Sequence, residues 1–272
     1  MDVSVIIPCY NSGCYLGDAL QSVAASKNLN GYQYEVIIVD DGSTDKDTLD
    51  MLNKLHDCTV IHQDNKGPGA ARNTGVNAAK GEFILFLDSD NKIRDGFMAR
   101  GIGIFNSTTA DIVYGKPAFF GATTTPRFKT GEFDMESILV MNHIDMCSMV
   151  RKSAFDELGG FDEDRKLIAF EDWDLWIRAG AAQKKFHFVD EVMFDYRITN
   201  HSLLDDEDNH CKVVDILYTK HKNLVLDTFR KIGIGYSVYR KDEKRPFRTF
   251  FKNCYYKYLY RFINIHALAK RH

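Results

Sequence analysis

Two apolar runs that stop at carboxylates constrain this chain more than any other feature. Val36-Ile37-Ile38-Val39 ends at Asp40-Asp41, and Phe83-Ile84-Leu85-Phe86-Leu87 ends at Asp88-Ser89-Asp90. A continuous run of β-branched and apolar residues reads as a parallel strand buried on both faces. Acids at both ends put carboxylates at the carboxyl edge of a sheet, the edge at which open α/β sheets bind ligands. An Asp-x-Asp pair there can hold one hard divalent cation against the diphosphate of a nucleotide.

The surrounding pattern agrees with such a sheet. Val3–Pro8 and Thr59–His62 read as further strands, and Tyr15–Ser26 as a helix. Another helix opens near Ser43 or Thr44, with Asp45 and Asp47 in its first turn. A third follows Gly67-Pro68-Gly69 and runs through Ala79, with proline near its start. Strand and helix alternating on this scale imply an α/β fold with a doubly wound, mostly parallel sheet. Beyond Asp90 the pattern loosens. Gly96–Phe105 and Glu171–Gly180 read as helices, and Asp111–Tyr114, Ser148–Arg151 and Met193–Arg197 as short strands. Thr123–Thr130 reads as a polar loop, and from Asp206 the chain turns helical again.

With 272 residues and 44% hydrophobic composition, the chain can bury a full core. Its net charge of −3 hides an asymmetry: residues 240–272 carry ten Lys and Arg against Asp242 and Glu243, a balance of +8 that leaves −11 for residues 1–239. An acidic body with a basic tail argues against a nucleic-acid partner, which calls for positive charge over the docking face. The six cysteines have no zinc spacing and read as reduced thiols. Met1 runs almost directly into the first strand, so no signal peptide is expected. No apolar run approaches the ~20 residues of a membrane span. The expected location is the cytoplasm, or the inner face of a membrane as a peripheral protein.

Five segments stand in one order: Pro8-Cys9-Tyr10-Asn11, Val39-Asp40-Asp41-Gly42-Ser43-Thr44-Asp45, Gly67-Pro68-Gly69-Ala70-Ala71-Arg72-Asn73, Leu87-Asp88-Ser89-Asp90-Asn91 and Glu171-Asp172-Trp173-Asp174-Leu175. Together they resemble the family 2 glycosyltransferases of the GT-A fold, over roughly residues 3–205. The resemblance implies a nucleotide-diphospho-sugar donor, with a UDP-sugar favoured, and Mn²⁺ or Mg²⁺. It also implies transfer with inversion to a saccharide acceptor, expected to be lipid-linked, in surface polysaccharide synthesis. On the donor side it implicates Pro8, Tyr10, Asn11, Asp40, Asp41, Arg72, Asp88 and Ser89. Tyr10 and Asn11 fall where base and ribose bind, although an ordinary strand-ending turn would look the same. Asp41 matches the acid that meets a uracil or guanine edge, a task suited to a carboxylate acceptor. Asp40 through Asp45 would equally cap the next helix.

By the same resemblance Asp88 bonds the ribose and Asp90 ligates the metal, which neutralises the departing diphosphate. Many relatives carry another acid where this chain has Asn91. Asp172 matches the general base that takes the acceptor hydroxyl's proton. Glu171, Trp173 and Asp145 are assigned to the acceptor, Trp173 as a platform for a sugar face. Three acids opening a helix also suit its dipole, which accounts for Asp174. His201 is either a second metal ligand or a loop histidine, since Thr199 occupies the usual place after Tyr196-Arg197. Two readings compete with this one. A sugar nucleotidyltransferase calls for a basic phosphate loop that Asn11-Ser12-Gly13-Cys14 lacks, and a non-catalytic nucleotide-sugar-binding protein would not need Asp90 and Asp172.

The expected organisation is a donor half at 1–95, an acceptor half at 96–205 of the same domain, and a helical extension at 206–272. Within the extension Phe247, Phe250, Phe251, Cys254, Tyr255, Tyr258, Leu259 and Phe262 form a helical apolar stripe flanked by cations. Residues 245–268 are therefore expected to lie on a membrane surface, or else to pack on the chain's own domain or on a second copy in a homodimer.

Overall fold

The computed structural model describes residues 1–26, 31–199 and 207–244. Strands β1 (Val3–Cys9), β2 (Tyr34–Asp40), β3 (Thr59–His62) and β4 (Phe83–Phe86) pair in parallel in the order β3-β2-β1-β4. Helices α1 (Gly13–Ala24), α2 (Lys46–Leu52) and α3 (Pro68–Ala78) make the crossovers. Ile6, Ile7, Ile38, Ile84 and Leu85 have no solvent exposure, so the central strands are covered on both faces, as their unbroken apolar sequence requires.

The sheet continues through the second half of the chain. Short β5 (Lys92–Ile93), long β6 (Ile112–Gly121), β7 (Met149–Arg151) and long β8 (Phe186–Ile198) extend it to eight strands in the order β3-β2-β1-β4-β7-β6-β8-β5. Four of its seven pairings are parallel. β6 and β8 are much longer than their sequences suggest. They pair over the whole of β6 with register shifts between Gly115 and Pro117, and such a bulge breaks the period-two alternation by which a strand is recognised. Helices α4 (Phe97–Ser107), α5 (Met135–Val140), α6 (Lys152–Glu157) and α7 (Glu171–Ala181) complete this part. The α5 helix, capped by Asp134 accepting from the Ser137 amide at 2.7 Å, is too short to show a helical period.

The chain divides into two compact units, Met1–Leu217 and Tyr218–His272. The first runs past residue 205 because Val213 and Leu217 of α8 (Glu207–Lys220) are fully buried. The described part of the second is mainly α9 (Lys222–Glu243). No described helix is long and apolar enough to cross a membrane. The five described cysteines are free thiols. His201 and the stripe at 245–268 lie outside the described residues, and with them the expected metal ligation by His201 and the membrane or dimer contact of the tail.

Candidate active site

The carboxyl ends of β1, β2 and β4 open onto a cavity of about 780 Å³. Pro8 and Tyr10 line it from β1 and its loop, with Tyr10 half exposed. Asn11 and Asp40, both expected to meet the donor, are instead occupied within the protein. Asn11 sits at φ 49°, and its Oδ1 accepts from the amides of Thr44 and Asp45 at 2.8 and 3.1 Å, clamping the β1 loop to the β2 loop. Asp40 is buried, accepting from the Ser43 amide at 3.0 Å and lying 2.9 Å from His62 Nδ1. Both residues shape the turn, and neither lines the cavity.

Asp41 does line it, and it is held rigidly. Its Oδ1 accepts from Gln63 Nε2 at 2.7 Å and the Lys66 amide at 2.9 Å, and its Oδ2 from the Gly67 amide at 2.8 Å. A fixed carboxylate thus sits at the start of α3, where the helix dipole favours negative charge. Gly67 adopts φ 97° to cap that helix, a backbone state open to glycine.

At the other end, Asp88, Ser89 and Asp90 line the same cavity. Arg72, buried on α3, joins Asp88 Oδ1 and Glu171 Oε1 through separate N–H groups, each at 2.5 Å. Burial alone would ease loss of its proton, but the two carboxylates overcome that and hold Arg72 charged. Ser89 Oγ lies 2.8 Å from Ser12 Oγ. Asn91 is buried and accepts from the Arg197 amide at 2.8 Å, which ties the loop to β8. Burial, and then the charge of Asp88, push the Asp90 carboxyl up to about 6, against the opposing pull of Arg197.

Among the described residues no three His, Cys, Asp or Glu side chains are grouped to enclose a metal ion. The oxygen donor at Asp90, in a cavity with room for more oxygens, still suits a hard cation of the kind that keeps waters and substrate phosphates as ligands.

A second cavity of about 390 Å³ adjoins the first. Ala169, at φ 72°, lines both, and the partition is completed by consecutive residues: Glu171 faces the first cavity and Asp172 the second. Glu171, expected at the acceptor, therefore belongs to the first cavity as the partner of Arg72. Its Oε2 is buried without a hydrogen bond. Asp172 sits in the first turn of α7, accepting from its neighbour's amide, Trp173 N, at 2.7 Å and from Asn142 Nδ2 at 3.0 Å.

Burial, and then the charge of Glu171, push Asp172 up to about 7, while Arg72 and these hydrogen bonds pull the other way. Across the cavity it faces Asp145 and His143 from the segment after α5, Arg127 from the loop after β6, Tyr196 of β8 and His210 of α8. Asp145 is raised well above the ordinary carboxyl range by burial and by the charges of Asp88 and Asp172.

Trp173 is not an open platform. It is 1% exposed, its Nε1 donates to Ile138 O at 2.5 Å, and His210 stacks over it with ring centres 6.1 Å apart. Trp176 is equally buried and donates to Ile144 O at 3.0 Å. The two indoles pin α7 to the 138–144 segment and so fix the direction in which Asp172 points.

Three site residues escape a sequence reading. Asn142 touches Asp172 from 30 positions away. Arg165 lines the first cavity beside Asn65, with NH1 donating to its backbone O at 2.9 Å and its Oδ1 at 3.2 Å. Arg197 donates to the Asp90 carbonyl at 2.9 Å while its guanidinium lies over the Tyr15 and Phe120 rings. Only Arg197 carried a signal, its place in the Tyr196-Arg197 pair ending a strand. Asn142 lies in a loop and Arg165 at the start of a one-turn 3-10 helix, Arg165–Leu167, neither with a period or motif to mark it.

Comparison with known proteins points the same way. A poly(ribitol-phosphate) β-glucosyltransferase of Bacillus spizizenii is 38% identical over 122 residues, 43% of this chain and 19% of its own length. The glycosyltransferase GlyG of Streptococcus pneumoniae is 27% identical over 230 residues, 75% of this chain and 73% of its own. The chain thus spans about a fifth of the first relative and most of the second. Among solved structures, S. aureus TarS 1–349 is similar at 26% identity with a TM-score of 0.58, over 72% of this chain and 60% of that one. The same protein in complex with UDP-GlcNAc is similar in fold at 22% identity and a TM-score of 0.64, over 80% and 66%. Residues 4–159, more than half of the sequence, match Glycosyl transferase family 2, and the chain belongs to that family.

Proposed function

We propose that this chain is a metal-dependent, inverting glycosyltransferase that moves a sugar from a UDP-sugar to a hydroxyl of a saccharide acceptor, lipid-linked and at the inner face of the membrane. The observation that carries this reading is the pair of adjoining cavities divided by Glu171 and Asp172. A donor with its diphosphate near Asp88 and Asp90 would bring its anomeric carbon to the partition, with an acceptor hydroxyl beside Asp172 on the far side. Asp172 takes the hydroxyl proton as the oxygen attacks the anomeric carbon. The bond to the diphosphate breaks and UDP leaves. With the base and the leaving group on opposite sides, a single displacement inverts the carbon.

Pro8, Tyr10 and Asp41 would receive the nucleoside, and Asp88 and Ser89 the ribose and diphosphate, with Arg72 holding Asp88 in place. Asp145 would meet the acceptor beside Asp172. Asp90 would hold Mn²⁺ or Mg²⁺ together with phosphate and water oxygens, with His201 the proposed second protein ligand. When bound, the cation supplies Lewis-acid stabilisation of the leaving diphosphate. A uracil nucleotide is favoured by the TarS structures with UDP and UDP-GlcNAc, and a polymeric acceptor by the poly(ribitol-phosphate) in the name of the Bacillus relative.

Calorimetric titration with UDP and GDP, each with Mn²⁺ and with a chelator, tests the donor side. Metal-dependent binding of UDP, reduced at least about tenfold in Asp90→Ala, is the expected result. Absence of metal-dependent binding by either nucleotide would refute it.

A further inference from the structure

The three residues of the Asp88–Asp90 unit are held in different ways. Asp88 is fixed through its carboxylate by Arg72, and Ser89 through its hydroxyl by Ser12. Asp90 lines the first cavity, and among the described residues no other side chain hydrogen-bonds its carboxylate. A carboxylate left open in this way is aimed by the backbone that carries it.

That backbone is gripped by one residue. Arg197, near the end of β8, donates from Nε to the Asp90 carbonyl at 2.9 Å, and its amide donates to Asn91 Oδ1 at 2.8 Å. The Asn91 amide in turn closes a tight turn onto the Asp88 carbonyl at 3.1 Å. The guanidinium is itself fixed in direction. NH2 donates to Asp18 Oδ2 of α1 at 2.6 Å, and the central carbon lies 4.8 Å from the Tyr15 ring centre and 4.4 Å from that of Phe120 on β6. Holding β8 in the sheet does not require this knot, because β8 already pairs with β6 over the whole of β6. Asp18 is half exposed, and an ion pair of that kind adds little to stability.

Resting on the donor reading above, in which Asp90 holds the cation, we infer that Arg197 is a positioning residue for the metal: by gripping the Asp90–Asn91 peptide from β8 it presets the direction of the Asp90 carboxylate in the first cavity. Arg197 touches neither cation nor nucleotide in this arrangement. It acts through the Asp90 carbonyl, and Asp18 acts through Arg197.

The test is the affinity for Mn²⁺ at saturating UDP, read from the electron paramagnetic resonance of the free ion. It compares the full chain with Arg197→Ala, Arg197→Lys, Asp18→Ala and the Ala/Ala double. Arg197→Ala keeps its backbone amide, and with it the bond to Asn91 and the pairing of β8. It should weaken Mn²⁺ by about ten- to a hundredfold, the usual cost of losing a group that orients a metal-ligating carboxylate. Asp18→Ala should weaken it by a smaller factor and add nothing in the double variant. Lysine keeps the charge but not the fork that reaches Asp90 and Asp18 together, and should not restore the affinity. Raising Mn²⁺ by the same factor should return UDP binding of Arg197→Ala to the unaltered level, which general damage to the cavity would not allow. Unchanged Mn²⁺ affinity in Arg197→Ala, full recovery with lysine, additive losses in the double, or a UDP deficit that excess Mn²⁺ does not repair would each overturn the inference and leave the donor reading standing. If Arg197→Ala does not fold, Asp18→Ala carries the test, and an unchanged affinity there overturns it. Failure of the unaltered protein to bind Mn²⁺ with UDP would sink the donor reading, and this inference with it.

Discussion

Replacing Asn142 with Ala isolates one hydrogen bond to the proposed base. Asn142 Nδ2 donates to Asp172 Oδ2 at 3.0 Å and helps hold its carboxyl down, against burial and the charge of Glu171. A hydrogen bond to a charged group contributes about 1.5–3 kcal/mol, and one pKa unit is about 1.4 kcal/mol, so its loss should raise Asp172 by about 1–2 units. From about 7 the group would move into the range ~8–9. Since the base works only when ionised, the rise of kcat with pH should shift upward by the same amount, and turnover at neutral pH should fall about five- to fiftyfold. The assay is initial-rate sugar transfer at saturating donor over roughly pH 5.5–9.5, with UDP affinity measured alongside. UDP affinity should not change, because Asn142 lies in the other cavity. An acid limb that stays in place would refute the role of Asn142, and a loss of UDP affinity matching the loss of rate would show general disruption instead.

Two further perturbations read the same machinery through stability. Arg72→Met leaves the Asp88 and Glu171 carboxylates facing each other without their shared cation, and should cost about 3–5 kcal/mol in a urea melt near neutral pH. The loss should shrink in acid, where the carboxylates take up protons, and a uniform loss at all pH values would contradict this. For Asp172→Asn the sign runs the other way. The folded value of about 7 lies above the ordinary 3.8, so the carboxyl's contribution to stability is complete below the lower value and is lost as pH rises through the upper. The amide imitates the protonated acid, so this variant should lack transfer activity yet melt at a higher temperature than the unaltered protein above neutrality, by the equivalent of about 2–4 kcal/mol. The gain should vanish near pH ~4, and a lower melting temperature in mild alkali would show that Asp172 is not strained by burial.

The parallel part of the fold was readable because strands buried on both faces must be apolar throughout, and β2 and β4 leave no other interpretation of their sequences. The cavity residues that end those strands were legible for the same reason. Asn11 and Asp40 were not separable from them, since a polar residue that clamps a turn and one that meets a ligand look alike until their partners are seen. Trp173 misled through its neighbours: a tryptophan beside the expected base suggests a sugar platform, but its indole is used to fix α7. The pairing of β6 with β8 was obscured by its bulge, and Asn142 and Arg165 act across 30 and 100 residues, where no local pattern reports a contact.

The two cavities draw on different stretches of chain. The first is walled largely by residues within the first ninety, at the end of β1, in the loops that follow β1, β2 and β4, and at the start of α3. Much of the second comes from the stretch between β6 and β7, including Arg127, Phe128 and residues 141–145. That stretch also holds the proposed base, through Asn142 on Asp172 and through the Ile138 and Ile144 carbonyls that receive the two indoles of α7. A different loop between Gly121 and Met149 would therefore change the wall that faces Asp172 and the hold on Asp172 together, while the lining of the first cavity stays as it stands.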